Sequence, residues 1–318
     1  PRIIPYGDLK ISPAASSLHY GLEAFEGMKA YKGVDGKIRL FRPELNVQRL
    51  NQGLARLYMQ PVDEKAFIAL LKKLVLLEKD WIPEGEGFSL YLRPTAISTT
   101  ETLGVTAASK VKIFCICSPC GPYYQEGFKP VKLLADTEHV RAWPGGMGNK
   151  KFGGNYAPGI APQALAAKKG YQQVLWLFGE NHVCTEVGAM NMFFFLKKKG
   201  EDAAYELCTS PLSRGDILPG VTRNSALALA RGWGEFEVNE REVTMPEIVE
   251  AAKEGRLLEA FGTGTAAVVA PVKQIGYMGQ DIFLPTGEEI GPVAKRLWDE
   301  ITAIQYGKIK HPWGVVIG

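Results

Sequence analysis

GGMGNKKFGGNYAPG, residues 145–159, sets two adjacent lysines, Lys150 and Lys151, in a frame dense in glycine. Glycine loses the most conformational entropy on folding and offers no side chain to a core. Such a frame therefore needs a reason. A solvated loop is one. A lysine presented to a ligand that requires close approach of the backbone is the other. The segments around it decide the fold that carries it. On the N-terminal side, LEAFEGMKAYKGVDGKIRLFR reads as strand, glycine-rich turn, strand. PELNVQRLNQGLARLYM reads as a helix: Pro43 suits its first turn, and Val47, Leu50, Leu54 and Leu57 form one apolar stripe. DEKAFIALLKKLVLLEKDW is a second amphipathic helix, and FSLYLRPTAI and KVKIFCIC are strands. On the C-terminal side strands and helices are again mixed without strict alternation: VKLLAD, QQVLWLF and MNMFFFLKK as strands, GIAPQALAAKKGY, TRNSALALARGWG and MPEIVEAAKEGRL as helices, and GPVAKRLWDEITAIQYG as a closing helix. The pattern predicts an α+β chain of two domains split near residues 122–130, within GPYYQEGFKP, where glycine and proline cluster.

The chain has 318 residues, enough for two domains with substantial cores. Its net charge of +3 is no electrostatic footprint for nucleic acid, and the apolar run around MFFFL is far too short to span a bilayer. The one dense basic run, Lys197–Lys198–Lys199, reads as a solvated hairpin tip. Five cysteines, an odd count in a long chain, argue against a secreted disulfide framework. Cys115, Cys117 and Cys120 lie on a predicted strand and read as small buried residues. Cys117 and Cys120 nevertheless have a spacing that would permit a disulfide at an exposed strand end. Four scattered histidines and no second cysteine pair at zinc spacing give no metal site.

Three elements can hold an anion. In ILPGVTRNSALALA, Gly220 makes a turn and Thr222 is the expected N-cap, so exposed amides and the helix dipole favour phosphate. FGTGTAAVVAPV mimics G-x-G-x-x-A, but the valines and Pro271 that follow read as a strand where a dinucleotide site needs a helix. A strand–turn–strand with two threonines can still form a nest for an anion. The lysine stretch is the third. A lysine, two phosphate-grade loops and a carboxylate among small residues (Glu186 in TEVGAMN) together suit pyridoxal phosphate. That cofactor needs a Schiff-base lysine, a phosphate cradle and an acid that keeps its ring nitrogen protonated.

Nearly the whole chain resembles, in order, the branched-chain amino acid aminotransferases of the fold-type-IV pyridoxal phosphate enzymes, their eukaryotic-type branch in particular. The resemblance runs through SSLHYGLEAFEGMKAYKG, LFRPELNVQRL, SLYLRPTAI, RAWPGGMGNKKFGGNYAPG, QVLWLFG, TEVGAMNMFFF, LPGVTRNS, FGTGTAAVVAPV and EIGPVAKRLWDEITAIQYG. It implies a small α/β N-terminal domain over 1–123, an interdomain loop over 124–130 and a larger pseudo-barrel domain over 131–318. It implies reversible ping-pong transfer of the amino group of leucine, isoleucine or valine to 2-oxoglutarate by a homodimer with shared active sites, with amino acids and 2-oxo acids as its small-molecule partners.

The same resemblance assigns roles. Lys151 matches the Schiff-base lysine and Lys150 a variable neighbour. Tyr156 matches the tyrosine bonded to the ring hydroxyl oxygen, Glu186 the partner of the pyridine nitrogen, and Arg49, Val221, Thr222 and Thr265 the phosphate contacts. Tyr20 (lent by the other subunit), Phe25, Tyr91 and Tyr123 match the aromatic wall of the side-chain pocket. The turn at Thr265–Ala266 matches the amides that receive the α-carboxylate, and Arg93 the cation for the distal carboxylate of glutamate. Ala267 and Ala270 stand where some mammalian members carry a redox-sensitive C-x-x-C, so no peroxide switch is expected there, and Ala189 replaces a threonine. Other fold-type-IV members (D-amino acid aminotransferase, aminodeoxychorismate lyase, (R)-amine transaminase) share the lysine and glutamate but not the LHYGLEAFEGMKA and YLRP set. The chain begins at Pro1 without Met, so a targeting peptide cannot be judged and the compartment, cytoplasmic or mitochondrial, stays open.

Overall fold

Helix α1 (Ser16–Tyr20) leads into strands β1 (Glu23–Phe25), β2 (Met28–Lys32) and β3 (Ile38–Phe41). Helices α2 (Pro43–Arg56) and α3 (Glu64–Leu77) precede the long strands β4 (Ser89–Ser98) and β5 (Val111–Cys120). Then follow β6 (Val131–Asp136), α4 (Ile160–Lys168), β7 (Gln173–Phe178), β8 (Val183–Val187), β9 (Met190–Lys197) and β10 (Tyr205–Thr209). Last come α5 (Val221–Trp233), β11 (Glu237–Glu240), α6 (Met245–Lys253), β12 (Leu257–Gly264), β13 (Val268–Tyr277), β14 (Gln280–Phe283), α7 (Pro292–Gln305) and β15 (Gly314–Ile317). This computed structural model describes residues 1–123, 129–200 and 204–317. Most of the expected interdomain loop, 124–128, lies outside the described residues.

The chain divides into two compact units. The first is Pro1–Pro122 with Lys150–Gly154 and Ala303–Gly318, and the second is Tyr123–Asn149 with Asn155–Thr302. This differs from a large domain running unbroken over 131–318. Phe152 is buried beside Ala24, Leu50 and Leu54 of the first unit, and β15 pairs antiparallel with β3. Burial of one aromatic ring and the closing of a sheet edge each hold a distant stretch of chain in the first unit.

In the first unit β1 and β2 lie end to end along one edge of β4, and β5 lies along the other. The pairs Phe25–Thr95 and Met28–Leu92 keep one register across the gap, so β1 and β2 are a single strand interrupted at Glu26 and Gly27. This is why the sequence reads as one strand there. The interruption lies opposite Arg93 and Pro94, and proline cannot donate to the ladder. The helix-facing side of the sheet (Met28, Ala30, Leu40, Leu90, Leu92) packs on Val47 of α2 and Leu71 and Val75 of α3. Asp63 caps α3 by accepting from the Ala66 amide at 2.7 Å. Leu57 falls one residue beyond the end of α2, so the helical stripe ends at Leu54.

β5 is an edge strand, and its cysteines are only half-buried rather than core residues. Cys117 and Cys120 are three positions apart on it, hence on opposite faces, and cannot form the disulfide that their spacing permits. Cys115 and Cys117 share the face that meets the core.

In the second unit β9, β12, β13, β6, β7 and β8 pair in that order, and β8 returns to pair with the start of β9. The result is a closed six-stranded barrel, with β10 and β11 extending it from β9 and β14 from β13. The strands read as near-continuous apolar runs because Leu133, Leu175, Val187, Phe194 and Ile275 fill a common core with Ile248 and Ala251 of α6. Lys198 and Lys199, expected to be solvated, are exposed but paired with Glu237 and Glu250.

Candidate active site

In the first unit the interrupted strand gathers charged groups around Lys151. The Phe25 amide donates to the Lys151 carbonyl at 3.0 Å, and the Lys151 ammonium lies 4.7 Å from the centre of the Phe25 ring. The Arg93 guanidinium lies 4.7 Å from the same ring and donates to the Tyr91 hydroxyl at 2.9 Å. The Nε of Arg93 is buried with no hydrogen-bond partner among the described residues. A Cβ at Gly27 would collide with the Tyr91 hydroxyl, so only glycine lets Tyr91 cross the strand there. Burial, with the nearby Arg49 and opposed by Glu26, lowers the Lys151 pKa to about 8. Lys151, Phe25, Tyr91, Arg93 and Arg49 are thus one cluster. Lys150 also lies below its usual range, through burial and then Arg56.

Arg49 lies on the buried side of α2 and is paired with Glu26, at 2.7 Å from Nε to Oε1 and 2.9 Å from Nη2 to Oε2. Tyr20 is exposed, and its hydroxyl donates to the Leu103 carbonyl; Tyr123, in the second unit, is exposed as well.

In the second unit the barrel register aligns Glu186 on β8, Asn191 on β9 and Thr263 on β12 in one row across three strands. Asn191 donates to Glu186 Oε1 at 3.1 Å and to the Leu218 carbonyl at 2.8 Å. The Leu218 amide donates to the same Oε1 at 3.3 Å. Arg141 makes a buried ion pair with Oε2 at 2.5 Å. The Glu186 carboxylate is thus enclosed by a guanidinium and two N–H donors. Thr263 Oγ1 is buried with no hydrogen-bond partner among the described residues.

Helix α5 starts beside this row. Its N-cap is Gly220, not Thr222, because the Asn191 side chain occupies the place where a Cβ at 220 would stand. Val221 and Thr222 are the first two helical residues, and both are buried. Thr265 and Ala266 form the β12–β13 turn, and Gly262 and Gly264 before it leave room for Met190. Tyr156 precedes a short 3-10 turn, Ala157–Gly159. No group of three or more metal-ligating side chains occurs among the described residues, and no helix there is long and apolar enough to cross a membrane.

Glu26, Asn46, Arg141, Asn191 and Thr263 were not singled out from the sequence. The pairs that Glu26, Asn46, Arg141 and Asn191 form span distant positions or adjacent strands, and no local pattern marks such a pair. Only the charge of Glu26 inside an apolar strand was a signal.

A two-unit chain with a buried amine in one unit and, in the other, a barrel carrying a paired acid beside a helix N-terminus defines a class. The family model for amino-transferase class IV matches residues 23–275, and the chain belongs to that family, with its two-domain fold type IV. Within it the chain stands among the branched-chain-amino-acid aminotransferases. It is 54% identical over 320 residues to the one from Dictyostelium discoideum, covering 100% of this chain and 83% of the relative. It is 48% identical to the cytosolic enzyme of Saccharomyces cerevisiae, covering 100% of this chain and 85% of the relative. The crystal structure of the Escherichia coli branched-chain amino acid aminotransferase superposes with a TM-score of 0.78 at 25% identity, covering 97% of this chain and 94% of the other.

Proposed function

We propose that this chain transfers the amino group of leucine, isoleucine or valine reversibly to 2-oxoglutarate by a ping-pong route, using pyridoxal 5'-phosphate. The depressed pKa of Lys151 carries the reading. An amine titrating at about 8 is about one-tenth neutral at pH 7, whereas an ordinary lysine is almost wholly protonated. The donor set suits the cofactor: a nucleophilic amine, a buried carboxylate beside a guanidinium and a helix that starts at glycine. When bound, the cofactor supplies an aldehyde that takes up the amino group and a ring that draws electrons from the substrate's Cα.

The chain's own residues do the rest. Lys151 would hold the aldehyde through Nζ, and its neutral amine would take the Cα proton onto Nζ and pass it to the carbon that bears the transferred nitrogen. Glu186, paired with Arg141 and Asn191, would hold a proton on the ring nitrogen. Tyr156 donates to the ring oxygen. Arg49, the amides of Val221 and Thr222, and Thr265 hold the phosphate. The amides of Thr265 and Ala266 receive the α-carboxylate. Phe25, Tyr91, Tyr123 and a Tyr20 from a second subunit wall the side-chain pocket. Arg93, with its unpartnered Nε, receives the second carboxylate of glutamate.

The test is a pair of variants. Lys151→Ala is expected to lose turnover and the visible absorption band of the bound cofactor, and Lys150→Ala to keep most of both. The opposite outcome moves the reaction to Lys150. With wild-type apoprotein, covalent capture of pyridoxal phosphate, followed by stopped-flow absorbance, is expected to accelerate as pH rises, with its midpoint near pH 8, and to level off about one unit higher, as the neutral amine saturates.

A further inference from the structure

Glu26 is a carboxylate with no exposed surface, set in the strand interruption and used by none of the roles above. Its Oε1 accepts from Arg49 Nε, and its Oε2 accepts from Arg49 Nη2, from Asn46 Nδ2 at 2.8 Å and from the Gly27 amide at 3.1 Å. Asn46 Nδ2 also reaches the Gly27 carbonyl at 3.2 Å, so α2 grips both residues of the interruption. The guanidinium is planar, and two parallel bonds to one carboxylate fix its plane as well as its place. Locking the Nε–Nη2 edge therefore sets the direction of the Nη1–Nη2 edge. A buried arginine without this partner would be an uncompensated charge, free to turn away from a ligand. The same pair acts on Lys151: Arg49 lowers its pKa and Glu26 opposes that.

We propose that Glu26 is a positioning residue, held in place by Asn46, which locks one edge of Arg49 so that the other edge meets the phosphate of the cofactor. The proposal rests on the assignment of Arg49 to the phosphate under Proposed function. A purely structural ion pair would support the fold without caring whether the ligand carries a phosphate. The ratio of affinities for pyridoxal 5'-phosphate and for pyridoxal, which lacks the phosphate, separates the two roles.

The experiment titrates each compound into cofactor-free full-length protein and follows intrinsic fluorescence, with a thermal melt for each variant. Glu26→Gln keeps the shape but sets an amide against the arginine donors. It is expected to lower the preference for the phosphate ester at least tenfold; any change at Lys151 is common to both compounds and cancels in the ratio. Glu26→Asp is expected to recover part of the preference. Asn46→Ser, which leaves every charge in place, is expected to lower it a few-fold and supplies the readout if Glu26→Gln does not fold. Arg49→Gln is expected to lower it as far as Glu26→Gln does, with no further loss in the double variant. Equal losses for both compounds, or an unchanged preference in Glu26→Gln and Asn46→Ser while Arg49→Gln loses it, overturn the positioning role alone. An unchanged preference in Arg49→Gln overturns the phosphate assignment of Arg49 and the proposal with it.

Discussion

The role proposed for Arg93 requires it to serve two substrates of opposite polarity. Leucine brings an apolar side chain, whereas 2-oxoglutarate brings a second carboxylate that must leave water to enter the same space. An unpaired buried charge is costly, so a cation has to meet it. Arg93 stands on β4 between the Phe25 and Tyr91 rings, 4.7 and 5.1 Å from their centres, so its charge is stored against aromatic faces when no carboxylate is present. Arg93→Gln is therefore expected to slow the half-reaction with glutamate far more than the half-reaction with leucine. Loss of a charge-assisted hydrogen bond, about 1.5–3 kcal/mol, corresponds to roughly ten- to a hundred-fold in kcat/KM. Single-turnover absorbance traces measure each half-reaction separately, and equal losses would make Arg93 a brace for Tyr91 instead. Lys151 was singled out in the sequence by its glycine-rich frame, and Arg93 only through the resemblance at YLRP. Glu26 was not, since its role exists only in the company of Arg49 and Asn46.

The elements were legible wherever a period or a breaker marked them, and the links between them were not. Helix α7 is plain in the sequence, but what holds its first turn is not. Glu259 on β12, buried and 34 positions from its nearer partner, accepts from the Val293 amide at 2.9 Å and from the Ala294 amide at 3.0 Å. It caps a helix from outside the helix and satisfies two of the amides that every helix N-terminus leaves unpaired. Gly291 is part of the same fit, because a Cβ there would strike the Glu259 carboxylate. Glu259→Ala is expected to destabilise the protein by about 1–3 kcal/mol, the cost of stranding buried donors, and Glu259→Gln by less. Urea unfolding of both variants checks this; an unchanged midpoint for Glu259→Ala would mean that water replaces the carboxylate. The interrupted strand teaches the same lesson. Its register is continuous, so alternation alone reads it as one strand, and the break follows from Pro94 on the neighbouring β4.

Across the molecule, the exposed Tyr20 and the exposed apolar side chains of Leu18, Leu103 and Val105 fit a site completed by a second copy. If Tyr20 is lent across a dimer, Tyr20→Ala and Lys151→Ala fall in the same site of a mixed pair and leave the other site intact. Co-refolding the two inactive variants in equal amounts is expected to restore roughly a quarter of wild-type activity, since half the dimers are mixed and each has one intact site. No recovery in mixed dimers, with sedimentation at twice the 34.9 kDa chain mass, would place Tyr20 in its own subunit's site. Taken alone, the sequence was enough for the α+β class, most elements and the likeness to the branched-chain aminotransferases, because periodicity, turn residues and ordered motifs are local and survive without a fold. It took the folded chain to show that β8 closes the barrel onto β9, that Lys150–Gly154 and β15 return to the first unit, and that Glu26 and Arg141 flank the assigned Arg49 and Glu186. These are pairings across long stretches of chain, set by burial and by the need to partner buried charge, and neither quantity exists until the chain has folded.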